Sequence, residues 1–246
     1  MRNYLTNIFL NAPPQSASTF LYESLTNGLS YKNLSQPTLY GGIFPYKNIV
    51  TWSAEKTLAG GFVWQDNVEA NEVNLLIMEQ FFPKVILHFR DPRQCIYSWL
   101  QHFPNVMHEE RARTLKKLIK LRDNFFDLPI EHQIDHLIQT RLIHYVEYYK
   151  KWLEIIDHSK YKVSFLITTY EELTKNQNQV LKKVLEFYEL KQELFNFPSQ
   201  CPEVGKQNYR GNSLTGWEHT FSIQQRKKAG ELIPSFMKKK FNWIEY

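Results

Sequence analysis

Two near-continuous apolar runs, KVILHFR (84–90) and KVSFLITTY (162–170), constrain the fold more than any other feature of this sequence. Runs in which β-branched and aromatic residues are not confined to alternate positions are typical of strands buried on both faces. Two weaker runs, NIFLNA (7–12) and GGFVWQ (60–65), also predict strands. Amphipathic helical patterns lie between and after these runs, the clearest at 131–157, 178–190 and 222–241. Strands that alternate with helices predict an α/β fold with a central parallel sheet flanked by helices.

The composition predicts one soluble domain over residues 1–246. The chain has no internal repeat, no low-complexity tract and no linker rich in Pro, Gly or Ser, and 43% of its residues are hydrophobic. A net charge of +5 favours anionic partners such as nucleotides or sulfate and phosphate esters. No apolar run approaches the ~20 residues of a membrane span. Cys95 and Cys201 show no metal or disulfide pattern, so we expect a cytoplasmic protein.

Ligands of parallel sheets bind at the carboxyl ends of the strands, which directs attention to the loops after residues 12, 90 and 170. The first loop, Pro13–Thr19, follows a predicted strand and precedes a predicted helix. Its hydroxyls and backbone N–H groups can surround an anion. It is not a Walker A loop, because the pattern G-x-x-x-x-G-K-[ST] is absent. The alternative is an ordinary turn whose Ser or Thr caps the helix.

The second loop, in VILHFRDPRQCIYSW, carries an arginine at the end of a buried strand. Arg90 ends the strand, a helix starts after Asp91-Pro92, and Ser98 follows within that helix. A guanidinium can hold a phosphate through paired N–H bonds, and a nearby hydroxyl can add a third. The alternative is a surface pair between Arg93 and Asp91 beside a buried serine.

These two segments resemble those of sulfotransferases that use 3′-phosphoadenosine 5′-phosphosulfate (PAPS). RDPRQCIYS is similar to the 3′-phosphate segment R-[ND]-P-x-[DE]-x-x-x-S, with Gln94 where an acid is common. PPQSASTFL is similar to the 5′-phosphosulfate loop P-K-S-G-T-[ST]-[WF], with Gln15 and Ala17 as departures. Both matches lie in the loops that a parallel sheet would use for a ligand.

Two later segments extend the resemblance. TTYEELTKN looks like the family's Y-E-[DE]-L segment, and NYRGNSLTGWEHTF looks like its R-K-G-x-x-G-x-W segment. Arg210 and Trp217 keep the expected separation, while Gly211 and Asn212 replace Lys-Gly. The four segments occur in the family's order between residues 9 and 221, so the set is far more specific than any one member.

The resemblance implies a fold, a donor and a set of contacts. It implies a P-loop-like sulfotransferase fold that takes PAPS as sulfuryl donor, releases 3′-phosphoadenosine 5′-phosphate (PAP) and uses no metal. The positions it assigns to the nucleotide are Pro14, Gln15, Ser16, Ala17, Ser18, Thr19, Phe20, Arg90, Ser98, Tyr170, Arg210, Gly211 and Asn212. Phe20 and Tyr170 are assigned to the adenine; core packing is the alternative for each aromatic taken alone.

Two departures from the family pattern bear on catalysis. Gln15 stands at the position of the loop lysine, and an amide can donate a hydrogen bond to the leaving oxygen but brings no charge. Ser98 is a further candidate for stabilising that oxygen. Asn67 best matches the family's histidine base but cannot accept the proton. Asp66 is therefore our first candidate base and Glu69 the second, with a surface carboxylate as the alternative.

Other polar clusters carry weaker signals. His132 and His136 have a spacing that can bind a metal, but no third ligand is evident and no metal site is predicted. His102 is a weaker base candidate. LKKLIKLR and MKKKF have helical spacing and no nucleic-acid fold signature accompanies them, so each is interpreted as a solvated helix face.

Two functions remain open from the sequence. The first is a sulfotransferase acting on a hydroxyl or nitrogen of a small-molecule acceptor, with no nucleic-acid or membrane partner. The second is a PAP- or PAPS-binding protein of the same fold with impaired catalysis, motivated by Gln15 and Asn67. A P-loop kinase is disfavoured by the missing Walker lysine. The sequence identifies neither the acceptor nor the oligomeric state.

Overall fold

The structure is a computed structural model, and the residues that it describes are 6–34, 44–106, 121–122, 124–158, 160–198 and 215–245. The chain divides into two compact units. The first comprises Met1–Arg90 and Tyr148–Asn212, and the second comprises Asp91–Glu147 and Ser213–Tyr246. The single domain expected over 1–246 stays a prediction.

The first unit contains a five-stranded, wholly parallel sheet in the order β2-β3-β1-β4-β5. Its strands are β1 (Ile8–Asn11), β2 (Lys32–Leu34), β3 (Phe62–Asp66), β4 (Lys84–Phe89) and β5 (Ser164–Thr169). In the register of the sheet, Asn11 at the end of β1 lies opposite Asp66 at the end of β3. The loops that follow these strands therefore leave the sheet at one edge.

Helices connect the strands, as the alternating pattern predicts. They are α1 (Ser18–Leu29), α2 (Thr51–Glu55), α3 (Glu72–Phe81), α4 (Pro92–Val106), α5 (Ile130–Leu137), α6 (Ile143–His158), α7 (Tyr170–Lys175), α8 (Gln177–Phe187), α9 (Gly216–Thr220), α10 (Ile223–Leu232) and α11 (Ser235–Phe241). Short 3₁₀ turns occupy Lys56–Ala59, Phe125–Asp127 and Gln192–Leu194, and a π-helical segment occupies Ile138–Leu142.

Both faces of the sheet are covered. On one face, leucines of α1 and α8 pack against inward-facing strand residues, including Leu21, Leu181, Ile8 and Val63. On the other face aromatic rings dominate, with Phe9 lying 5.5 Å from Trp64 and 5.0 Å from Phe82 between ring centroids. Burial on both faces accounts for the apolar runs of the sequence, because neither side of these strands meets water.

The predicted α/β fold with a parallel sheet flanked by helices is confirmed. The observed strands 8–11, 62–66, 84–89 and 164–169 fall on the four predicted runs. The sequence reasoning missed β2, a three-residue strand at the edge of the sheet. Its residues, Lys-Asn-Leu, lack the apolar alternation by which strands are recognised.

Two predicted helices are interrupted. The pattern at 131–157 covers α5, the π-helical segment Ile138–Leu142 and α6. The pattern at 222–241 breaks between Leu232 and Ser235, where Pro234 cannot donate the backbone hydrogen bond of a continuing helix. Within the described ranges, every helix is too short or too polar to cross a bilayer.

Candidate active site

The loop between β1 and α1 has a backbone that its residues do not favour. Gln15 and Ala17 have φ angles of 63° and 66°, in the left-handed region. A non-glycine residue there costs roughly 1–2 kcal/mol. The sulfotransferase loop pattern has glycine where Ala17 stands, and the φ angle explains that preference, since glycine meets no Cβ penalty. The loop needs compensating contacts to keep this shape.

Three carbonyl groups of the loop accept hydrogen bonds from neighbouring side chains. Ser16 Oγ donates to the carbonyl of Pro13 at 2.7 Å. Arg90 Nη1 donates to the carbonyl of Gln15 at 2.7 Å, and His88 Nε2 donates to that of Ser16 at 3.0 Å. These bonds tie the loop to the end of β4 and turn its acceptors toward the protein.

The same bonds orient the loop's donors. In a planar trans peptide the N–H points opposite to the C=O, so the N–H groups of Ser16 and Ala17 face away from Arg90 and His88. The first N–H groups of α1 lack intrahelical acceptors, and its N-cap residue, Ala17, supplies no side-chain cap. Convergent backbone donors at the positive end of a helix dipole form a site suited to an anion.

His88 holds the loop as a neutral ring. Its Nε2 must carry the proton because a carbonyl only accepts, so Nδ1 accepts from the Thr168 hydroxyl at 2.9 Å. Burial lowers the pKa of His88 to about 4, with the Arg90 charge acting in the same direction and the hydrogen bond to Ser16 opposing it. The ring therefore stays uncharged at neutral pH and acts as a structural link between β4, β5 and the loop.

Arg90 lies between the loop and Tyr170 and is buried, with 7% of its surface exposed. Its guanidinium carbon is 3.8 Å from the centroid of the Tyr170 ring, which fixes the plane of the fork. The hydroxyl of Tyr149 donates to the Arg90 carbonyl at 2.8 Å and accepts from the Arg90 N–H at 3.2 Å. Backbone and side chain are thus both held, so a positive charge is fixed beside the loop in which Gln15 replaces a lysine.

Ser18, the first residue of α1, contacts a residue that the sequence reasoning missed. Gln65 Nε2 donates to Ser18 Oγ at 2.7 Å. A hydroxyl that accepts from one side keeps its own hydrogen to donate elsewhere. Gln65 is one residue before Asp66 on β3, and no local signal in the sequence links it to a loop that is 47 residues away.

Asp66, the first candidate base, forms a buried ion pair with Lys47. Asp66 Oδ1 accepts from Lys47 Nζ and, at 2.8 Å, from the backbone N–H of Asn67. Burial raises the pKa of Asp66, and the Lys47 charge offsets part of that change. Within the described residues, Asp66 Oδ2, Trp64 Nε1 and the hydroxyl of Tyr148 are enclosed without a hydrogen bond of ordinary geometry, although the Trp64 side chain is close enough to lower the pKa of Asp66. Lys47 is a second residue that the sequence reasoning missed.

The remaining candidates of the first unit have ordinary surroundings. Pro14 and Thr19 are partly exposed. Phe20 packs against the core between α1, α8 and the sheet, which agrees with the packing alternative and does not test the assignment to adenine. Glu69 forms an ion pair with Lys151 at 2.7 Å. None of these contacts tests the role that the sequence predicts for the residue, so each role stays a prediction.

The second unit contains Ser98 and the Arg93–Asp91 pair, which the sequence offered as the alternative to a phosphate site. Ser98 lies on α4 and is partly exposed. Arg93 and Asp91 do form an ion pair, at 2.6 Å, but the pair is buried and not on the surface. Arg93 also donates to the carbonyl of Ile244 at 2.8 Å and lies 4.2 Å from the centroid of Trp217. The Arg93–Asp91 pair therefore fixes the start of α4.

Other predicted positions lie outside or beside these contacts. Arg210, Gly211 and Asn212 lie outside the described residues. On α5, His132 is exposed whereas His136 is buried with its ring 5.5 Å from that of Phe125. In the described parts of the chain, no three side chains of His, Cys, Asp or Glu cluster as metal ligands would.

Comparison with known proteins gives a family and a fold. The family model described as "Sulfotransferase domain" matches residues 73–241, more than half of the chain. The β1–α1 loop precedes the matched range. A search of curated protein sequences gives no significant match.

Solved structures resemble most of the chain at low identity. Mouse sulfotransferase SULT7A1 complexed with PAP is 14% identical, with a TM-score of 0.58 and 96% of this chain and 85% of that chain covered. Retinol dehydratase in a complex with retinol and PAP is 16% identical, with a TM-score of 0.51 and 94% and 81% covered. Likeness at this identity shows a shared fold.

Proposed function

The chain belongs to the sulfotransferase family. From that premise we propose that it moves the sulfuryl group of PAPS to a hydroxyl or nitrogen of a small-molecule acceptor and releases PAP. One observation carries the proposal. The carbonyls of Gln15 and Ser16 are bonded to Arg90 and His88, which leaves the loop's N–H groups and the start of α1 as a set of anion donors. A phosphosulfate is an anion of the size and charge that such a loop binds.

In this proposal the site residues contact three parts of PAPS. The loop N–H groups and the Ser18 hydroxyl, oriented by Gln65, bind the 5′-phosphosulfate. Arg90 and Ser98, together with Arg210, Gly211 and Asn212, bind the 3′-phosphate. Tyr170 and Phe20 contact the adenine. Positioning and charge stabilisation supply most of the catalysis, as in phosphoryl transfer.

The leaving oxygen gains negative charge as its bond to sulfur breaks. Gln15 donates an amide hydrogen bond to it, and the fixed guanidinium of Arg90, bonded to the carbonyl of Gln15, supplies the nearby positive charge. Lys47 is already paired with Asp66, so it is a weaker source of charge. The sulfuryl group carries one negative charge fewer than a phosphoryl group, and the proposal includes no metal.

The acceptor loses its proton as the new S–O or S–N bond forms. Asp66 is the proposed base, because its raised pKa increases its basicity and Oδ2 forms no ion pair and no hydrogen bond of ordinary geometry with described residues. Since Oδ2 is enclosed, Asp66 must shift to meet the acceptor. Steady-state assays of Asp66→Asn and of Glu69→Gln test this step. An unchanged kcat in both variants removes both carboxylates as bases.

A PAP- or PAPS-binding protein without catalysis is the second candidate, favoured by Gln15 and Asn67 at the positions of a lysine and a histidine. Calorimetry with PAP and transfer assays with ³⁵S-labelled PAPS and a panel of phenols, alcohols and amines separate the two. Binding with transfer supports the enzyme, and binding without transfer supports the second candidate. A protein that binds neither nucleotide contradicts both.

Arg90 provides the sharpest binding test. Removing a charge-assisted hydrogen bond to a phosphate costs about 1.5–3 kcal/mol, so Arg90→Met is expected to weaken PAP binding by about 10–100-fold. Arg122→Met, which removes the same charge from an exposed position, is the matched control and is expected to bind normally. Equal affinities for the two variants would remove Arg90 from the nucleotide site.

The proposal further takes the chain to be one cytoplasmic domain without nucleic-acid or membrane partners.

A further inference from the structure

Lys47 is a buried cation of the first unit, and its pairing with Asp66 is unequal at the two carboxylate oxygens. Its ammonium group forms an ion pair with Asp66 Oδ1, and the two side chains are 11% and 2% exposed. Asp66 Oδ1 also accepts from the backbone N–H of Asn67 at 2.8 Å. Within the described residues, Oδ2 forms no ion pair and no hydrogen bond of ordinary geometry. One oxygen of the carboxylate is therefore held, and the other is left over.

The backbone at Lys47 is fixed by Asn74 on α3, in the same unit. The buried Asn74 amide donates to the carbonyl of Lys47 at 3.0 Å and to that of Glu69 at 2.8 Å. Its oxygen accepts from the N–H of Ile49 at 2.7 Å. The N–H of Glu69 donates to the same Lys47 carbonyl at 2.8 Å. These bonds join the segment around Lys47 to the segment that follows Asp66, so the lysine side chain starts from a fixed backbone.

Asp66 lies beside the proposed nucleotide loop, also within the first unit. Its carbonyl accepts from the N–H of Ala12 at 2.8 Å, and Ala12 directly precedes the loop Pro13–Thr19. Gln65, the residue before Asp66, donates to Ser18 Oγ at 2.7 Å. Two contacts thus join the end of β3 to the start of the loop and to the start of α1. The charge of Asp66 is held next to the loop that is proposed to bind the phosphosulfate.

Lys47 is the cation that acts on Asp66 within the described residues. The other titratable group that faces Asp66 there is the phenol of Tyr148. Burial raises the pKa of Tyr148 and the charge of Asp66 adds to the rise, so the phenol stays neutral at physiological pH. Glu69, the nearest other carboxylate in sequence, pairs with Lys151 instead. Burial raises the pKa of Asp66, and the Lys47 charge opposes that rise.

We propose that Lys47 is a positioning residue for the base: it keeps the Asp66 carboxylate ionised and binds Oδ1, so that Oδ2 takes the acceptor's proton. The inference rests on the proposed function for the role of Asp66. In the transfer, the proton moves to Oδ2 as the acceptor's oxygen or nitrogen bonds to sulfur, and the leaving phosphate oxygen keeps the electron pair of the broken bond. A buried carboxylate without a counter-ion would instead be protonated by water and could accept no further proton. The flexible four-carbon stem of lysine lets the ammonium group follow Asp66 as the carboxylate shifts toward the acceptor.

The pH profile of kcat tests this role, measured with ³⁵S-labelled PAPS and the best acceptor among the phenols, alcohols and amines. An opposite charge in contact lowers the pKa of a carboxyl group by about 1–3 units, so in Lys47→Met the acid limb is expected to rise by about 1–3 pH units, with kcat regained at alkaline pH. Lys47→Arg keeps the charge and is expected to keep the limb of wild type. Lys151→Met, which removes the partner of Glu69, is the matched control and is expected to keep it as well. A structural role alone would lower kcat at every pH without moving the limb.

Three outcomes of these assays contradict the inference. The acid limb stays in place in Lys47→Met, or it moves in Lys151→Met instead, which assigns the base to Glu69. A loss of PAP affinity of about tenfold or more in Lys47→Met assigns the ammonium group to the nucleotide. Should Lys47→Met not fold, Lys47→Gln takes its place with the same expectations, because it removes the charge and keeps a hydrogen-bond donor.

A measurement without turnover separates this inference from the proposed function. In protein labelled with ¹³C at the aspartate carboxyl carbons, the NMR resonance that is absent from Asp66→Asn reports the ionisation of Asp66. It is expected to show a carboxylate at pH 7 in wild type and to titrate at higher pH in Lys47→Met. The same midpoint in both proteins contradicts the inference and leaves the function standing. A raised midpoint in a protein that transfers sulfuryl to no acceptor shows that Lys47 keeps Asp66 ionised, and contradicts the function.

Discussion

The start of α4 and the π-helical segment each bury one arginine, and the two side chains are treated very differently. Arg93 is 0% exposed and Arg141 is 8% exposed, both within the second unit. Arg93 has the carboxylate of Asp91, the carbonyl of Ile244 and the ring of Trp217 as partners. Among the described residues Arg141 has no comparable partner. Burial alone thus does not show whether an arginine is held by the protein's own groups; only its partners do.

The same distinction applies to the first unit. The polar groups around the β1–α1 loop are bonded to one another, as in the contacts of His88 with Ser16 and of Gln65 with Ser18. These bonds shape a site before any ligand arrives. Four predictions test whether polar groups that have partners within the protein contribute more to stability and to PAP binding than polar groups that have none.

Arg93→Met is expected to have the largest effect on stability. It removes one member of a buried ion pair and leaves Asp91 uncompensated, which typically costs about 3–5 kcal/mol. Urea unfolding measures the loss in the free energy of unfolding. Arg122→Met, at an exposed position, is the control and should lie within about 0.5 kcal/mol of wild type. A small effect of Arg93→Met would mean that the pair does not hold the start of α4.

His88→Gln is expected to remove part of the acid sensitivity. Burial lowers the pKa of His88 from 6.5 to about 4, so between these values the unfolded state binds more protons than the native state. The contribution of His88 to the free energy of unfolding is therefore fully present above pH 6.5, and about 3 kcal/mol of it is lost as the pH drops toward 4. Urea unfolding from pH 7 to 4 should show a shallower fall in His88→Gln. Parallel curves for the two proteins would contradict the neutral, buried ring.

Ser18→Ala and Gln65→Leu are expected to have intermediate and non-additive effects. Each removes one partner of a neutral hydrogen bond, which typically contributes about 1 kcal/mol. If Gln65 acts by orienting the Ser18 hydroxyl, PAP affinity in the double variant should equal that in Ser18→Ala. Calorimetry on the four proteins of this cycle measures the coupling. Fully additive losses would show that Gln65 acts independently of Ser18.

Arg141→Met is expected to have the smallest effect on the free protein. Replacing an unpartnered buried charge with an apolar side chain of similar length removes a desolvation penalty and leaves no carboxylate unpaired. The free energy of unfolding without ligand should stay within about 1 kcal/mol of wild type or rise. Urea unfolding beside Arg93→Met makes the comparison direct. A loss as large as that of Arg93→Met would show that Arg141 has structural partners.

The sequence predicts the parts of this molecule that are governed by local patterns. Continuous apolar runs gave four of the five strands, and an arginine at the end of such a run marked the position of Arg90. The edge strand β2 is polar and only three residues long, so it leaves no pattern. The π-helical turn at Ile138–Leu142 keeps the helical spacing of apolar residues, so the sequence does not distinguish it from an α-helix.

Contacts between distant residues could not be predicted. Lys47 forms an ion pair with Asp66, which is 19 residues away in sequence, and Gln65 donates a hydrogen bond to Ser18, which is 47 residues away. Lysine and glutamine are common on protein surfaces, so the residue type indicates neither contact. Arg141 sits in an amphipathic pattern where an arginine is unremarkable. Only the packed structure distinguishes these residues, because burial and the identity of partners are properties of the fold.

The strained loop has a consequence for the kinetics of binding. Because the protein's own bonds from Arg90, His88 and Ser16 hold Gln15 and Ala17 at positive φ, a nucleotide that binds as proposed does not have to order the loop. Its association should then be a single concentration-dependent step, limited by encounter instead of by a slow rearrangement.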